Sequence, residues 1–168
     1  MNVPNILTAM RLLMIPSFGY FLYIGNYKVA VFLFLLSGFT DILDGFIARR
    51  FDMVTSWGKL ADPLADKLMQ IMALVILTIQ KTIPTFVLII VIIKELLMAI
   101  GSIMLLKQKK YVVSANWYGK MATVIFYLAI IMIIIKVPYS NYLIILALAA
   151  TLFAFVKYFI SYIKIKQY

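Results

Sequence analysis

The chain has 168 residues, 65% of them hydrophobic, with 16 Lys and Arg against six Asp and Glu, a net charge of +10, and neither cysteine nor histidine. Soluble domains run about 45–50% apolar by a similar count, so this composition excludes an ordinary water-soluble domain and points to an integral membrane protein. Without thiols or imidazoles, disulfides and zinc-type sites are excluded, and any metal must be held by oxygen, which selects hard ions such as Mg²⁺ or Mn²⁺.

A bilayer-spanning helix takes about 20 mainly apolar residues, so the length accommodates about six spans in one domain covering residues 1–168. The stretch from Met1 to Arg11 lacks the basic start and small-residue cleavage site of a signal peptide. It reads as an interfacial turn feeding a first span that ends near Gly25-Asn26. A second span is predicted from about Lys28 to Arg50, a polar connection over Phe51 to Trp57, and a third span from about Gly58 to Gln80. The fourth is predicted from about Ile83 to Leu106. The longest polar interruption follows, from Lys107 to Gly119. The fifth covers about Lys120 to Ile135 and breaks at Lys136-Val137-Pro138; the sixth covers about Tyr142 to Ile163, before a basic tail. No internal repeat is evident, which weighs against a transporter built from paired halves.

Lys and Arg bias predicts the orientation. With the amino terminus in the cytoplasm, Arg49, Arg50, Lys59, Lys107, Lys109, Lys110, Lys120, Lys164 and Lys166 all lie inside, leaving Lys28, Lys81 and Lys136 opposite. The expectation is a multi-pass protein of the cell membrane. Its basic charge, gathered at segment ends, suits anionic lipid and phosphate-bearing substrates rather than nucleic acid.

Five of the six acidic residues lie between positions 41 and 66; Asp52 falls in the polar connection, and the other four form two spaced pairs. Asp41 and Asp44 are three apart and Asp62 and Asp66 four apart, so each pair shares one helix face. A carboxylate within a membrane helix costs roughly 2.5–3.5 kcal/mol on insertion scales and usually faces a cation, a partner or water. Two facing pairs describe an oxygen-lined cation site. Asp41 lies about 12 Å deeper than Arg49 at about 1.5 Å per residue, so the site is expected to open to the cytoplasm and reach into the bilayer. Small residues at Gly45, Ala48 and Gly58 leave room for a bulky group against the backbone, and Arg49 offers a planar donor fork suited to phosphate.

The run Asp41-x2-Asp44-Gly45-x2-Ala48-Arg49-x8-Gly58-x3-Asp62-x3-Asp66 resembles the signature of the CDP-alcohol phosphotransferases, with every fixed position present. The resemblance implies a six-helix membrane enzyme, usually a homodimer, that moves a phosphatidyl or related group from a CDP-linked donor to an alcohol and releases CMP. It further implies that Asp41, Asp44, Asp62 and Asp66 ligate two divalent ions, Mg²⁺ or Mn²⁺, and that Asp66 is the general base. Gly45, Ala48, Arg49 and Gly58 would contact the CDP moiety, with Asn5, Thr8 and Thr55 closing the cytidine pocket.

Asn2 to Thr8, Arg11, Ile15-Pro16 and the run Lys59 to Leu68 most resemble the bacterial phosphatidylglycerophosphate synthase branch. The implied substrates are CDP-diacylglycerol and glycerol 3-phosphate. One departure lies in the fourth span, where Lys94-Glu95 stands for the branch's Arg-Glu and Ser102 for a second arginine. Arg11, Lys94, Lys107 and Lys120 are the cations available to an acceptor phosphate. Losing one arginine leaves open a less charged acceptor, phosphatidylglycerol, which would give cardiolipin.

Plainer roles exist for several of these residues. Asn5 and Thr8 also suit helix capping, Gly45 and Ala48 helix packing, Arg11 headgroup anchoring, Lys94-Glu95 a self-satisfied pair, and Lys107 to Lys110 a lipid-surface cluster. Two rival classes use the same carboxylates: a cation transporter, indifferent to Gly45, Arg49 and Gly58, and a non-catalytic scaffold, indifferent to Asp41 and Asp62.

Overall fold

In a computed structural model, residues 3–51, 56–107 and 117–166 are described; the rest, and the side chains of Arg49, Ser56, Trp57, Lys59, Leu60 and several residues at the ends of the later helices, are not. The described residues form six α-helices and no strand: α1 (Val3–Tyr23), α2 (Tyr27–Arg50), α3 (Ser56–Ile79), α4 (Thr85–Lys107), α5 (Trp117–Ile134) and α6 (Ser140–Lys166). Six predicted segments thus correspond to six helices, with shifted ends. Helix α4 starts at Thr85 rather than Ile83, because Pro84 disfavours helical backbone at the residue before it. Helix α6 runs on to Lys166 through the predicted basic tail.

The chain divides into two compact units, residues 1–82 and 83–168. In the first, α1 packs on both α2 and α3. Its inward stripe, Thr8, Arg11, Ile15, Phe18 and Leu22, recurs every three or four residues and is buried throughout. Phe18 meets Phe34 of α2 with ring centroids 5.4 Å apart. Gly19 lets α3 come close: a Cβ there would lie 2.8 Å from the Met72 sulfur. Gln80 ties the two helix ends together by donating from Nε2 to the Leu22 carbonyl at 2.8 Å. In the second unit, α5 packs on α6, and α6 also meets α4. That core is built from Phe126, Ala129, Ile130, Ile133, Ile144 and Ala147.

Three helix ends close in the same way. After α1 the Asn26 N–H donates to the Phe21 carbonyl (2.9 Å) and Gly25 N–H to Leu22 (3.2 Å). After α3, Thr82 N–H reaches Leu77 and Lys81 N–H reaches Thr78; after α5, Val137 reaches Met132 and Lys136 reaches Ile133. These are Schellman caps, which need a left-handed residue at the turn. Gly25 (φ +79°), Lys81 (φ +56°) and Lys136 (φ +58°) supply it. Asn26 then caps α2, its side-chain oxygen accepting from Val29 N–H.

The outside of the helices is greasy. Leu13 of α1 is 73% exposed and Ile42 of α2 is 69% exposed, with large apolar side chains exposed on the other helices too. Such surface belongs against lipid rather than water. By length and composition, Pro4–Tyr23 and Tyr27–Ala48 are long and apolar enough to cross a membrane, and two further apolar stretches, Gly119–Ile134 and Tyr142–Lys157, are shorter. The charges of Asp62, Asp66 and Lys67 interrupt α3, as Lys94 and Glu95 interrupt α4.

Candidate active site

The four aspartates lie on α2 and α3, in the first unit, toward the connection between those helices. Helix α1 supplies the residues that meet them. Arg11 donates from Nη1 to Asp41 Oδ1 at 2.7 Å and from Nη2 to Asp44 Oδ2. One planar fork thus spans two carboxylates one helical turn apart, as guanidinium geometry allows. The Arg11 side chain is 1% exposed and Asp44 2%, whereas Asp41 is 44% exposed. One turn before Arg11, the Thr8 hydroxyl lies 2.5 Å from Asp62 Oδ1 and 3.1 Å from the Pro4 carbonyl. Its single hydrogen goes to the nearer, charged acceptor.

The two pairs are electrostatically one group. The charge of Asp62 acts on both Asp41 and Asp44, and that of Asp66 acts on Asp41. Asp66 lies 3.9 Å from Lys67 Nζ and is about one-quarter exposed. Among the described residues no three carboxylates converge tightly enough to be a ligand set as they stand. The guanidinium explains this in part: a cation already lies between Asp41 and Asp44. The donor set is all oxygen and carries excess negative charge around a cation, which fits hard divalent ions.

The remaining predicted residues fall as follows. Asn5 is half-buried on the first turns of α1, and Gly45 and Ala48 are half-buried on α2 beside and beyond Asp44. Gly58 is buried on α3 one turn before Asp62. Thr55 and the side chains of Arg49 and Lys107 lie outside the described residues. Of the cations expected at an acceptor phosphate, Arg11 is turned onto the aspartates, Lys94 pairs with its neighbour Glu95, and Lys120 is exposed on α5. Lys94, Lys107 and Lys120 belong to the second unit, Arg11 to the first.

The Arg11 pairing and two further polar residues were not read from the sequence. Ser37 precedes Asp41 by four residues and Gln70 follows Asp66 by four, and both are buried. The signal was there: each extends its aspartate pair by one helical turn on the same face.

Residues 1–154 match the model of the CDP-alcohol phosphatidyltransferase family. This chain belongs to that family. The family is membrane-associated and generally uses divalent metal ions. An Aquifex aeolicus protein named CDP-diacylglycerol–glycerol-3-phosphate 3-phosphatidyltransferase is 31% identical over 166 residues, covering 97% of this chain and 93% of that one. A Bacillus subtilis protein of the same name is 34% identical over 137 residues, 73% of this chain and 70% of its own. A Schizosaccharomyces pombe protein named cardiolipin synthase (CMP-forming)/mitochondrial hydrolase fusion protein is 45% identical over 84 residues, 49% of this chain but 14% of that protein.

Proposed function

We propose that the chain transfers a phosphatidyl group from CDP-diacylglycerol to glycerol 3-phosphate, forming phosphatidylglycerophosphate and CMP. The observation that carries this reading is the gathering of Asp41, Asp44 and Asp62 around Arg11 and Thr8 within the family signature. The full-length similarity to the Aquifex protein supports the choice of acceptor.

In this reading Asp41, Asp44, Asp62 and Asp66 hold two ions, Mg²⁺ or Mn²⁺. When bound, those ions neutralise the charge that builds on the pyrophosphate and the departing CMP. Asp66 takes the proton of the acceptor hydroxyl, a role open to a positioned carboxylate. The freed oxygen forms a bond to the phosphorus carrying the diacylglycerol, the pyrophosphate P–O bond breaks, and CMP leaves with the electron pair. Gly45, Ala48, Arg49 and Gly58 border the CDP moiety, with Asn5, Thr8 and Thr55 near the cytidine. The donor's acyl chains stay in lipid while its headgroup enters a cavity open to the cytoplasm. The six helices cross the membrane with the amino terminus inside, as one functional domain that pairs into a homodimer.

The test is an acceptor panel with protein purified in detergent: glycerol 3-phosphate, phosphatidylglycerol, inositol phosphate and serine, each with CDP-diacylglycerol and millimolar Mg²⁺ or Mn²⁺. CMP release and a phosphatidylglycerophosphate mass with the first acceptor are expected. No CMP with any acceptor would sink the proposal. Phosphatidylglycerol is the second reading, favoured by the commitment of Arg11 and Lys94 to carboxylates and by the fungal relative's name. Cardiolipin as the product would establish it instead.

A further inference from the structure

Arg11 presents an unusual balance. Its side chain is all but sealed from solvent, its two terminal nitrogens are spent on Asp41 and Asp44, and its Nε is buried without a partner among the described residues. A buried guanidinium is normally satisfied at every donor, so Arg11 sits here with its two charge-assisted bonds made and its Nε left over. The oxygens it occupies, one on each aspartate, are also among those a divalent ion would need. Cation and guanidinium therefore compete for the same lone pairs. Among the described residues the four carboxylates face the Arg11 guanidinium and, beside Asp66, the Lys67 ammonium, which leaves the group underneutralised and makes a divalent ion the stronger claimant.

We propose that Arg11 is the resting counter-ion of this site: it holds Asp41 and Asp44 together in the metal-free protein and is displaced when a divalent ion binds. The inference rests on the reading of the aspartates as metal ligands. It makes Arg11 a positioning residue with two stations. In the first, it prevents two inward carboxylates from repelling each other in a low-dielectric setting. In the second, its five donors are released toward the anionic groups of a substrate, and the orphaned Nε gains an acceptor. Ion entry is thereby coupled to the arrival of a free phosphate-binding fork.

The experiment measures Mn²⁺ binding, by the spin-resonance signal of free Mn²⁺, on detergent-purified wild type, Arg11→Lys and Arg11→Gln. Displacement predicts that Arg11→Gln binds Mn²⁺ at least about tenfold more tightly than wild type, with Arg11→Lys between them. Equal affinities overturn the inference. So does weaker binding by Arg11→Gln, which would make Arg11 a support that stays beside the metal. If wild type binds no Mn²⁺, the metal-ligand reading falls and takes this inference with it. Because Arg11→Gln removes a counter-charge and can misfold, wild type is also followed by ¹⁵N resonance. The Nε–H signal of Arg11, identified by its loss in Arg11→Lys, should shift or broaden on Mg²⁺ addition. A signal unchanged at Mg²⁺ concentrations that displace bound Mn²⁺ overturns the proposal.

Discussion

The two units of this chain solve opposite problems with the same secondary structure. In residues 1–82 the buried set includes Thr8, Arg11, Ser37, Asp44 and Gln70; among the described residues of 83–168 the buried polar ones are Ser140 and Thr151, both neutral. Thr151 satisfies itself by donating back to the Ala147 carbonyl at 2.7 Å, a local bond that asks nothing of other helices. Thr8 and Arg11 instead reach partners 54 and 30–33 residues away. The first unit therefore carries polar bonds across its helices, where the Thr151 bond stays within its own helix. Among its described residues the second unit holds a largely buried ion pair, Lys94–Glu95, between sequence neighbours.

The contrast is broken most severely by neutralising an aspartate. Asp66→Asn removes the proposed base and should lower the rate by about 10²–10⁴-fold, the usual range for a lost general base. Asp44→Asn should be as damaging, because it also leaves a buried guanidinium half-paired. CMP release by detergent-purified protein, with circular dichroism to verify helicity, measures both. Activity within threefold of wild type for Asp66→Asn would remove it as the base.

Thr8→Val probes the inter-helix bond to Asp62. Hydrogen bonds to charged groups contribute about 1.5–3 kcal/mol, so a loss of roughly tenfold or more in kcat/KM is expected, with Ser restoring most of it. An equal loss in Thr8→Ser would point to the methyl group, and hence to packing, as the important part.

Lys94 separates the two readings of the second unit. As half of a largely buried pair, Lys94→Gln should destabilise the protein by about 1–3 kcal/mol through the stranded carboxylate, and Glu95→Gln added to it should recover much of that. As an acceptor contact, Lys94→Gln should raise KM for glycerol 3-phosphate, and the second substitution should not help. Thermal melting and KM on wild type and these two variants decide between them.

Much of this was legible beforehand because membrane burial makes charge conspicuous. Asp41, Asp44, Asp62 and Asp66 stood out against apolar helices, and six apolar runs marked six helices. What the spacing did not reveal was cross-helix partnership. Arg11 sits thirty residues from Asp41, and a basic residue near the start of a span reads equally well as a headgroup anchor. Its role depends on the register between α1 and α2, which Phe18–Phe34 packing and the Gly25 turn determine together. Ser37 and Gln70 were passed over because small or amide side chains in apolar helices carry little signal until burial is known. The end of α6 at Lys166 lies beyond the predicted one because a basic run in sequence does not by itself stop helical backbone.

The smallest effect concerns the three Schellman turns. Gly25 takes the left-handed position at no steric cost, whereas Lys81 and Lys136 adopt it against a penalty of about 1–2 kcal/mol for a residue with a Cβ. Two terms oppose a change to glycine. Glycine gains unfolded-chain entropy, worth about 0.4–1 kcal/mol, and a lysine at a helix carboxyl end interacts favourably with the last carbonyls, by about 0.3–1 kcal/mol at low salt. Lys136→Gly should therefore be near neutral at low ionic strength and stabilising by roughly 0.5 kcal/mol in high salt, where the charge term is screened. The reverse change, Gly25→Ala, has no compensating charge and should cost about 1 kcal/mol at any salt concentration. Melting temperatures of both variants at two salt concentrations give the comparison. A salt-independent gain for Lys136→Gly would mean that its ammonium group does nothing for the helix end, leaving backbone strain as the whole difference between this turn and the one at Gly25.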